Sequence, residues 1–323
     1  MTLHVFARVL AALDAGRGTA IATVTGAHGS TPRHLGARMA VADDGAQWGT
    51  VGGGRIEQLV ALAAREVAGG AAARVVRQHL VRDLAMCCGG SMEVVLTPAA
   101  GSRAVIAELA AGATGVLVTP VDGGPLELRA PRDGDPRVHH PEVRDGALVE
   151  RLPGGERAIL FGLGHVARNV GELLARLGFA VVVCDDGETG ATAAPAPAWA
   201  SQVIESFDAA EVERELGGFG PGDHVLIVTR DHAIDQKLLE QLIARDDLAY
   251  LGMIGSRGKI GRFRKRLEAK GLLADPARWT RLRAPIGIDV GAETPEEIAV
   301  AVAAELIALR RRGTPDVGRW GAA

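Results

Sequence analysis

Apolar positions along this chain switch between strand and helix spacing, and the clearest such run lies between Arg157 and Asp186. Ala158 to Phe161 is a short apolar run of the buried-strand type, followed by Gly162-x-Gly164-x-x-Ala167, a tight turn whose backbone can approach a phosphate. His165 opens a segment in which Val166, Val170, Leu173, Leu174 and Leu177 recur at helical spacing and stop at Gly178, a residue suited to a left-handed cap. Val181 to Cys184 supplies a second strand. Asp185 then stands about 20 residues beyond the turn, where an acid can accept from a ribose hydroxyl. Strand, turn, helix, strand and acid together predict a nucleotide-binding crossover.

The alternation continues downstream. It predicts strands over 201–206, 224–229 and 248–254, with helices over 208–216 and along Ile234, Leu238, Leu242 and Ile243. Such alternation implies a doubly wound parallel sheet in the order 3-2-1-4-5, with a sixth strand as an extension. Ligands of these sheets sit outside the C-terminal strand ends. The residues expected there, as cofactor contacts, are Gly162, Gly164, His165, Asp185, Asp231, His232, Gly255, Ser256 and Arg257. Arg257 and Lys259 open a helix bearing Arg262, Arg264, Lys265 and Arg266, which reads as an ordinary solvated face in preference to a docking surface. Thr294 and Pro295 mark the capped start of a last helix carrying Ile298, Val302, Leu306 and Leu309.

The first half reads differently. Phe6, Val9, Leu10 and Leu13 mark a helix, Thr19 to Thr25 a strand, and Ala37 to Val51 a hairpin turning at Asp43-Asp44-Gly45. Between them, Ser30, Thr31 and Arg33 offer donors to an anion from a loop of glycine and proline. The hairpin runs into Gly52-Gly53-Gly54 ahead of an apolar helix face, so bare N–H groups, with Arg55, form a candidate anion cradle. A glycine run equally permits nothing more than a sharp turn, and the pattern leaves both readings open. Residues 99–155 carry weak signals and read as a small β segment followed by a linker. The expected architecture is α/β: an N-terminal α+β domain over 1–150, carrying the glycine-rich and Cys-Cys-Gly-Gly loops, and a separate C-terminal Rossmann-like doubly wound parallel sheet over 156–323.

Length and charge narrow the function. A chain of 323 residues is long for one core, which supports two domains. A net charge of -3 argues against a general nucleic-acid binder. Neither a signal-peptide pattern nor a membrane-length apolar run stands out, which predicts a cytoplasmic protein without a membrane partner. The 3 cysteines cannot build a disulfide framework. Cys87-Cys88-Gly89-Gly90 lacks the ligand spacing of structural zinc, so the readings are a thiolate or persulfide in a glycine loop, facing a soft metal centre, or two small buried residues. Cys184, in an apolar strand, reads as core.

Gly29-Ser-Thr-Pro-Arg33 with Gly36-Ala-Arg-Met39, Gly52-Gly-Gly-Arg-Ile-Glu57, Cys87-Cys-Gly-Gly90, the Gly162 turn, Tyr250 to Arg257 and Pro285 to Pro295 together resemble the XdhC/CoxI family. These are accessory proteins of xanthine dehydrogenase and related molybdenum hydroxylases. The resemblance implies a chaperone, not an enzyme, that binds the molybdenum cofactor (molybdopterin), favours its sulfurated form and inserts it into the apo-enzyme. On that reading the phosphate meets Gly52 to Gly54 or Gly162 to Gly164, oxo groups meet Ser30, Arg33 and Arg38, and Cys87 or Cys88 contacts molybdenum. The implied partners are the molybdenum subunit of xanthine dehydrogenase, a cysteine desulfurase and cofactor-synthesis proteins, with a homodimer as a further expectation. Two other readings remain: an NAD(P)-dependent oxidoreductase using Asp231, His232 or Lys259 as acid or base, with NAD(P) or another nucleotide on the Rossmann domain, and a pure scaffold.

Overall fold

Successive residues of the central strands feed opposite helical layers in the computed structural model of the chain, which describes residues 2–87, 89–152, 154–187 and 196–313. The chain divides into two compact units, Met1–Gly154 and Gly155–Ala323. Each is described by itself.

In the first unit, β1 (Thr19–His28), β2 (Arg38–Ala42), β3 (Gln47–Gly49), β4 (Arg74–His79) and β5 (Ser91–Pro98) form an antiparallel sheet in the order β3-β2-β1-β5-β4. Ala20, Ala22 and Val24 of β1 face α2 (Gly54–Ala68) and α3 (Leu80–Leu84), packing on Ile56, Val60, Ala64 and Leu80. Ile21, between them, faces the other way with Phe6 and Val9 of α1 (Thr2–Asp14) and Ile106 and Leu109 of α4 (Arg103–Ala110). This period of two in burial is what a strand covered on both sides requires.

Residues 99–155 depart from the sequence expectation. The small β segment is there, with strands where 114–121 and 126–128 suggest them, but in place of the linker the stretch adds α4 and two further strands, giving a second antiparallel sheet, β7-β6-β9-β8, from β6 (Val116–Pro120), β7 (Glu127–Arg129), β8 (Glu142–Arg144) and β9 (Ala147–Arg151). Asp145 and Gly146 join β8 to β9 with φ of 51° and 74°. An Asp-Gly pair is a strong hairpin signal, here hidden by the very short strands beside it.

The second unit holds a parallel sheet ordered β12-β11-β10-β13-β14-β15, so the expected 3-2-1-4-5 order and its sixth strand are both present. Its strands are β10 (Arg157–Phe161), β11 (Ala180–Cys184), β12 (Gln202–Ile204), β13 (Asp223–Ile227), β14 (Tyr250–Met253) and β15 (Leu282–Arg283). Ala158, Leu160, Val181 and Val183 face α5 (His165–Arg176) and α10 (Pro295–Arg312). Ile159, Phe161, Val182 and Cys184 face α6 (Ala209–Glu215), α7 (His232–Leu242) and α8 (Arg257–Ala269), with Trp279 of α9 (Pro276–Arg281) at the margin. Burial pushes the Cys184 thiol well above its ordinary value, which makes it an inert core residue as expected. At the N-terminal edge, Arg157 meets the buried Asp223 through two bonds of 2.6 and 2.7 Å, joining β10 to β13. The last helix starts with a capping box between Thr294 and Glu297 and with Pro295 in its first turn. Among the described residues no helix is long and apolar enough to cross a membrane.

Gly171 is where α5 comes closest to its surroundings, because a β-carbon there would run into the Trp199 ring and lie 3.0 Å from Leu160. Gly171→Ala is therefore expected to lower the thermal midpoint, overpacking of about 1–3 kcal/mol outweighing a helix-propensity gain of about 1 kcal/mol. A raised midpoint in a calorimetric scan would show that the ring yields.

Candidate functional site

Three of the loops singled out in the sequence meet in the first unit, and glycine is what lets them. Gly90 donates its N–H to the Ser30 carbonyl at 3.0 Å and accepts from Leu80 at 2.9 Å. A β-carbon on Gly90 would run into the His28 carbonyl and lie 2.6 Å from that of Ser30, and one on Gly29 would lie 3.3 Å from the Gly90 Cα. Two backbones therefore touch where side chains would hold them apart. Gly52 packs on Pro32, leaving 2.6 Å between an added β-carbon and the proline ring, and Arg55 reaches the Leu84 carbonyl at 3.3 Å. Ser30 and Cys87 are exposed and Arg33 is half-buried. The Thr31 hydroxyl folds back onto the Arg33 carbonyl at 3.0 Å, while the Arg33 guanidinium has no ion pair among the described residues. Cys88 lies outside the described residues.

Two expectations for this unit need correction. Arg38 does not face a ligand: its side chain is 1 % exposed, pairs with Glu150 and reaches the Thr119 hydroxyl at 3.3 Å. It follows Ala40 onto the face of β2 that packs against the second sheet, where an unpaired guanidinium would be costly. The Gly52–Gly54 turn does form an anion cradle, but its anion is the chain's own Glu57. That carboxylate accepts from Val51 at 3.0 Å, from Gly53 at 3.1 Å and from the Thr50 hydroxyl, while the Gly52 N–H goes to Thr50 at 3.1 Å. Burial alone would raise the Glu57 carboxyl, but the Thr50 hydroxyl and the Gly53, Val51 and Gly52 N–H groups together hold it below the ordinary range. Gly54 and Arg55 are exposed beside it.

In the second unit the expected loops do emerge at the C-terminal strand ends. Gly162 has φ 116°, donates to the Cys184 carbonyl at 2.7 Å and would place a β-carbon 2.6 Å from the Val228 carbonyl, so this position admits only glycine without rearrangement. Asp185 is buried, its carboxylate accepting from Leu163 at 3.0 Å and from Gly187 at 3.2 Å. It holds the glycine turn, so the acid expected to accept from a ribose hydroxyl already accepts from the chain's own N–H groups. Gly164 and His165 are exposed, and the N-terminus of α5 has no side-chain cap. Asp231, with His232 exposed beside it, caps α7 by accepting from Ala233 and Ile234. Ser256 caps α8 next to the half-buried Gly255, and the exposed Arg257 lies 3.8 Å from Asp289.

Sequence reasoning missed the group beneath these loops. Lys259, read as part of a solvated face, is buried, ion-paired with Asp235 and bonded to the Ile254 carbonyl at 3.0 Å. Thr229 donates to the other oxygen of Asp235 at 2.7 Å. Burial pushes the Asp235 carboxyl up, opposed by Lys259 and Thr229. The pair joins α7 to α8, and through Thr229 and the Ile254 carbonyl it holds the loops after β13 and β14; the only sequence signal was a lysine at the inward position of an otherwise basic helix. Among the described residues no group of three or more His, Cys, Asp or Glu side chains is placed to hold a metal ion.

Two consequences are measurable. Glu57→Gln is expected to destabilise the first unit by about 1–3 kcal/mol at neutral pH, the usual worth of hydrogen bonds to a charged group. Because the folded-state value is depressed, that difference is present above the unfolded value of about 4.3 and fades as pH falls through the lower folded value. Urea titrations of both proteins across that range check it; a pH-independent gap would contradict the assignment. Lys259→Met alone is expected to cost about 3–5 kcal/mol by stranding Asp235, and adding Asp235→Leu should recover most of that loss.

The comparisons with known proteins agree with this architecture. The model of the XdhC and CoxI family matches residues 12–79, and that of the XdhC Rossmann domain matches residues 158–306. YqeB, an uncharacterized protein of Escherichia coli (strain K12), is 28% identical over 296 residues, covering 90% of this chain and 43% of its own length. A probable xanthine dehydrogenase subunit of Bacillus subtilis (strain 168) is 31% identical over 175 residues, covering 54% of this chain and 48% of its own. The chain thus spans less than half the length of these curated relatives. A crystal structure described as a xanthine dehydrogenase from Bacillus halodurans superposes with a TM-score of 0.75 at 25% identity, covering 96% of each chain. With both of its units matched, the chain belongs to the XdhC and CoxI family.

Proposed function

We propose that the chain serves as an accessory factor of a xanthine dehydrogenase or a related molybdenum hydroxylase, holding the molybdenum cofactor as cargo, favouring its sulfurated form and passing it to the apo-enzyme. Kinship with the family and the name of the Bacillus subtilis relative support the accessory role. The observation that carries the cargo reading is the meeting of the 29–33, 52–55 and 84–90 loops, which carry the exposed Cys87 thiol and the Arg33 guanidinium, the latter without an ion pair among the described residues.

The chemistry of the donors fits such a cargo. The molybdenum centre is soft at its dithiolene and sulfido ligands and anionic at its oxo groups. Cys87, with Cys88 beside it in sequence, offers thiolate to the metal; Arg33 and Ser30 offer charge and hydroxyl donors to the oxo groups. In the first unit the Gly52 and Gly53 N–H groups are already engaged by Thr50 and Glu57, while in the second unit the uncapped start of α5 at Gly164 and His165 is open to a phosphate group of a ligand bound there. The same α5 terminus suits NAD(P) or another nucleotide, but two of the three acid–base candidates for an oxidoreductase are engaged: Asp231 as a cap and Lys259 in a buried ion pair. That difference ranks the accessory role above hydride transfer.

The test uses the full chain produced in a cofactor-competent host, with bound cofactor measured as its fluorescent oxidation product. Arg33→Ala and Cys87→Ser are each expected to lower cofactor affinity about tenfold or more, as loss of one charge-assisted or metal contact would. Unchanged occupancy and unchanged activation of an apo-hydroxylase in both variants would overturn the reading.

A further inference from the structure

The outward line of α10 carries apolar residues where a helix covering a sheet ordinarily shows polar ones. Ala299, Val302, Ala303 and Leu306 pack inward with α5 and the sheet. Glu296, Val300, Ala304, Ile307 and Arg311 follow one another at helical spacing on the opposite side, with Val300 60% and Ile307 38% exposed. The charged ends of this line are not used inside the chain. Glu297 closes the capping box and Arg310 pairs with Glu156, whereas Glu296 and Arg311 have no such partner among the described residues.

The line is also symmetric about the Ala303–Ala304 peptide. Glu296 and Arg311 lie equally far from that point along the helix, as do Val300 and Ile307. Laid antiparallel against a second copy of itself, the helix sets Glu296 against the copy's Arg311 and Val300 against the copy's Ile307. The small Ala304 falls at the crossing, where backbones approach most closely. Such self-complementarity is what a two-fold interface requires, and opposed helix dipoles add to it. A parallel arrangement would set like charges together. We infer that α10 is the self-association face of this chain, pairing two copies antiparallel through Val300, Ala304 and Ile307 between Glu296–Arg311 ion pairs. One helix of this length offers less area than the roughly 1,200–2,000 Å² of a tight interface, so monomer and dimer exchange reversibly.

Sedimentation velocity of the full chain from about 1 to about 100 µM tests this, these being concentrations that bracket a micromolar constant. The wild type should shift from monomer toward dimer across that range. Glu296→Arg and Arg311→Glu, each setting like charges face to face, should weaken association about tenfold or more, and the two combined should restore it. Val300→Glu should leave a monomer throughout. Ala304→Cys supplies an independent reading: mild oxidation should give a covalent dimer whose disulfide-linked peptide joins residue 304 of the two copies, and this arm decides the matter if a charge variant loses its thermal transition. A wild type that stays monomeric at about 100 µM, a dimer indifferent to all these changes, or no crosslink through residue 304 would overturn the inference.

Discussion

Glycine backbones in contact at residues 29 and 90 organise the loops of the first unit, because no other residue lets the turn after β1 lie against the strand entry of β5. The N–H of Gly90 crosses to Ser30 and its carbonyl receives Leu80, which ties the end of the Cys87 loop to the loop that carries Ser30, Thr31 and Arg33. Pro32 seats Gly52 against the same loop. Pinned backbone gives the exposed Cys87 and the half-buried Arg33 fixed origins, which is what the proposed acceptance and release of a cargo would need.

The two units share one device. Each contains a glycine turn ahead of a helix, and in each a carboxylate of the chain itself accepts from the turn's N–H groups: Glu57 at Gly53, Asp185 at Leu163. Backbone donors turned inward carry a desolvation cost unless paired, so an internal acid is a natural way to fix such a turn. The consequence differs between them. In the first unit Glu57 takes the cradle, whereas in the second Asp185 supports the turn from beneath and leaves Gly164 and the start of α5 exposed.

Much of this was legible in the residues and some was not. The doubly wound sheet, its strand order and the Thr294 capping box follow from period and punctuation, because crossovers obey strict handedness and caps use few residue types. The second sheet of the first unit was legible only as a small β segment; β8 and β9 were missed because they are too short to show a period, although Asp145-Gly146 marked their hairpin. Partners distant in sequence were equally out of reach: nothing local told that Arg38 would meet Glu150, or that Lys259 would turn inward to Asp235. Residue type announced a charge at each position, and only the tertiary fold decided whether it faced a ligand or another part of the chain.

The central claim is that the cargo is gripped by the 29–33 and 84–90 loops of the first unit. Hydrogen–deuterium exchange of the full chain with and without bound molybdenum cofactor addresses it directly. Slowed exchange is expected in peptides covering His28 to His34 and Leu84 to Gly90. Protection confined to Gly162 to Ala167 and Thr229 to Ile234, with the first unit unchanged, would contradict it.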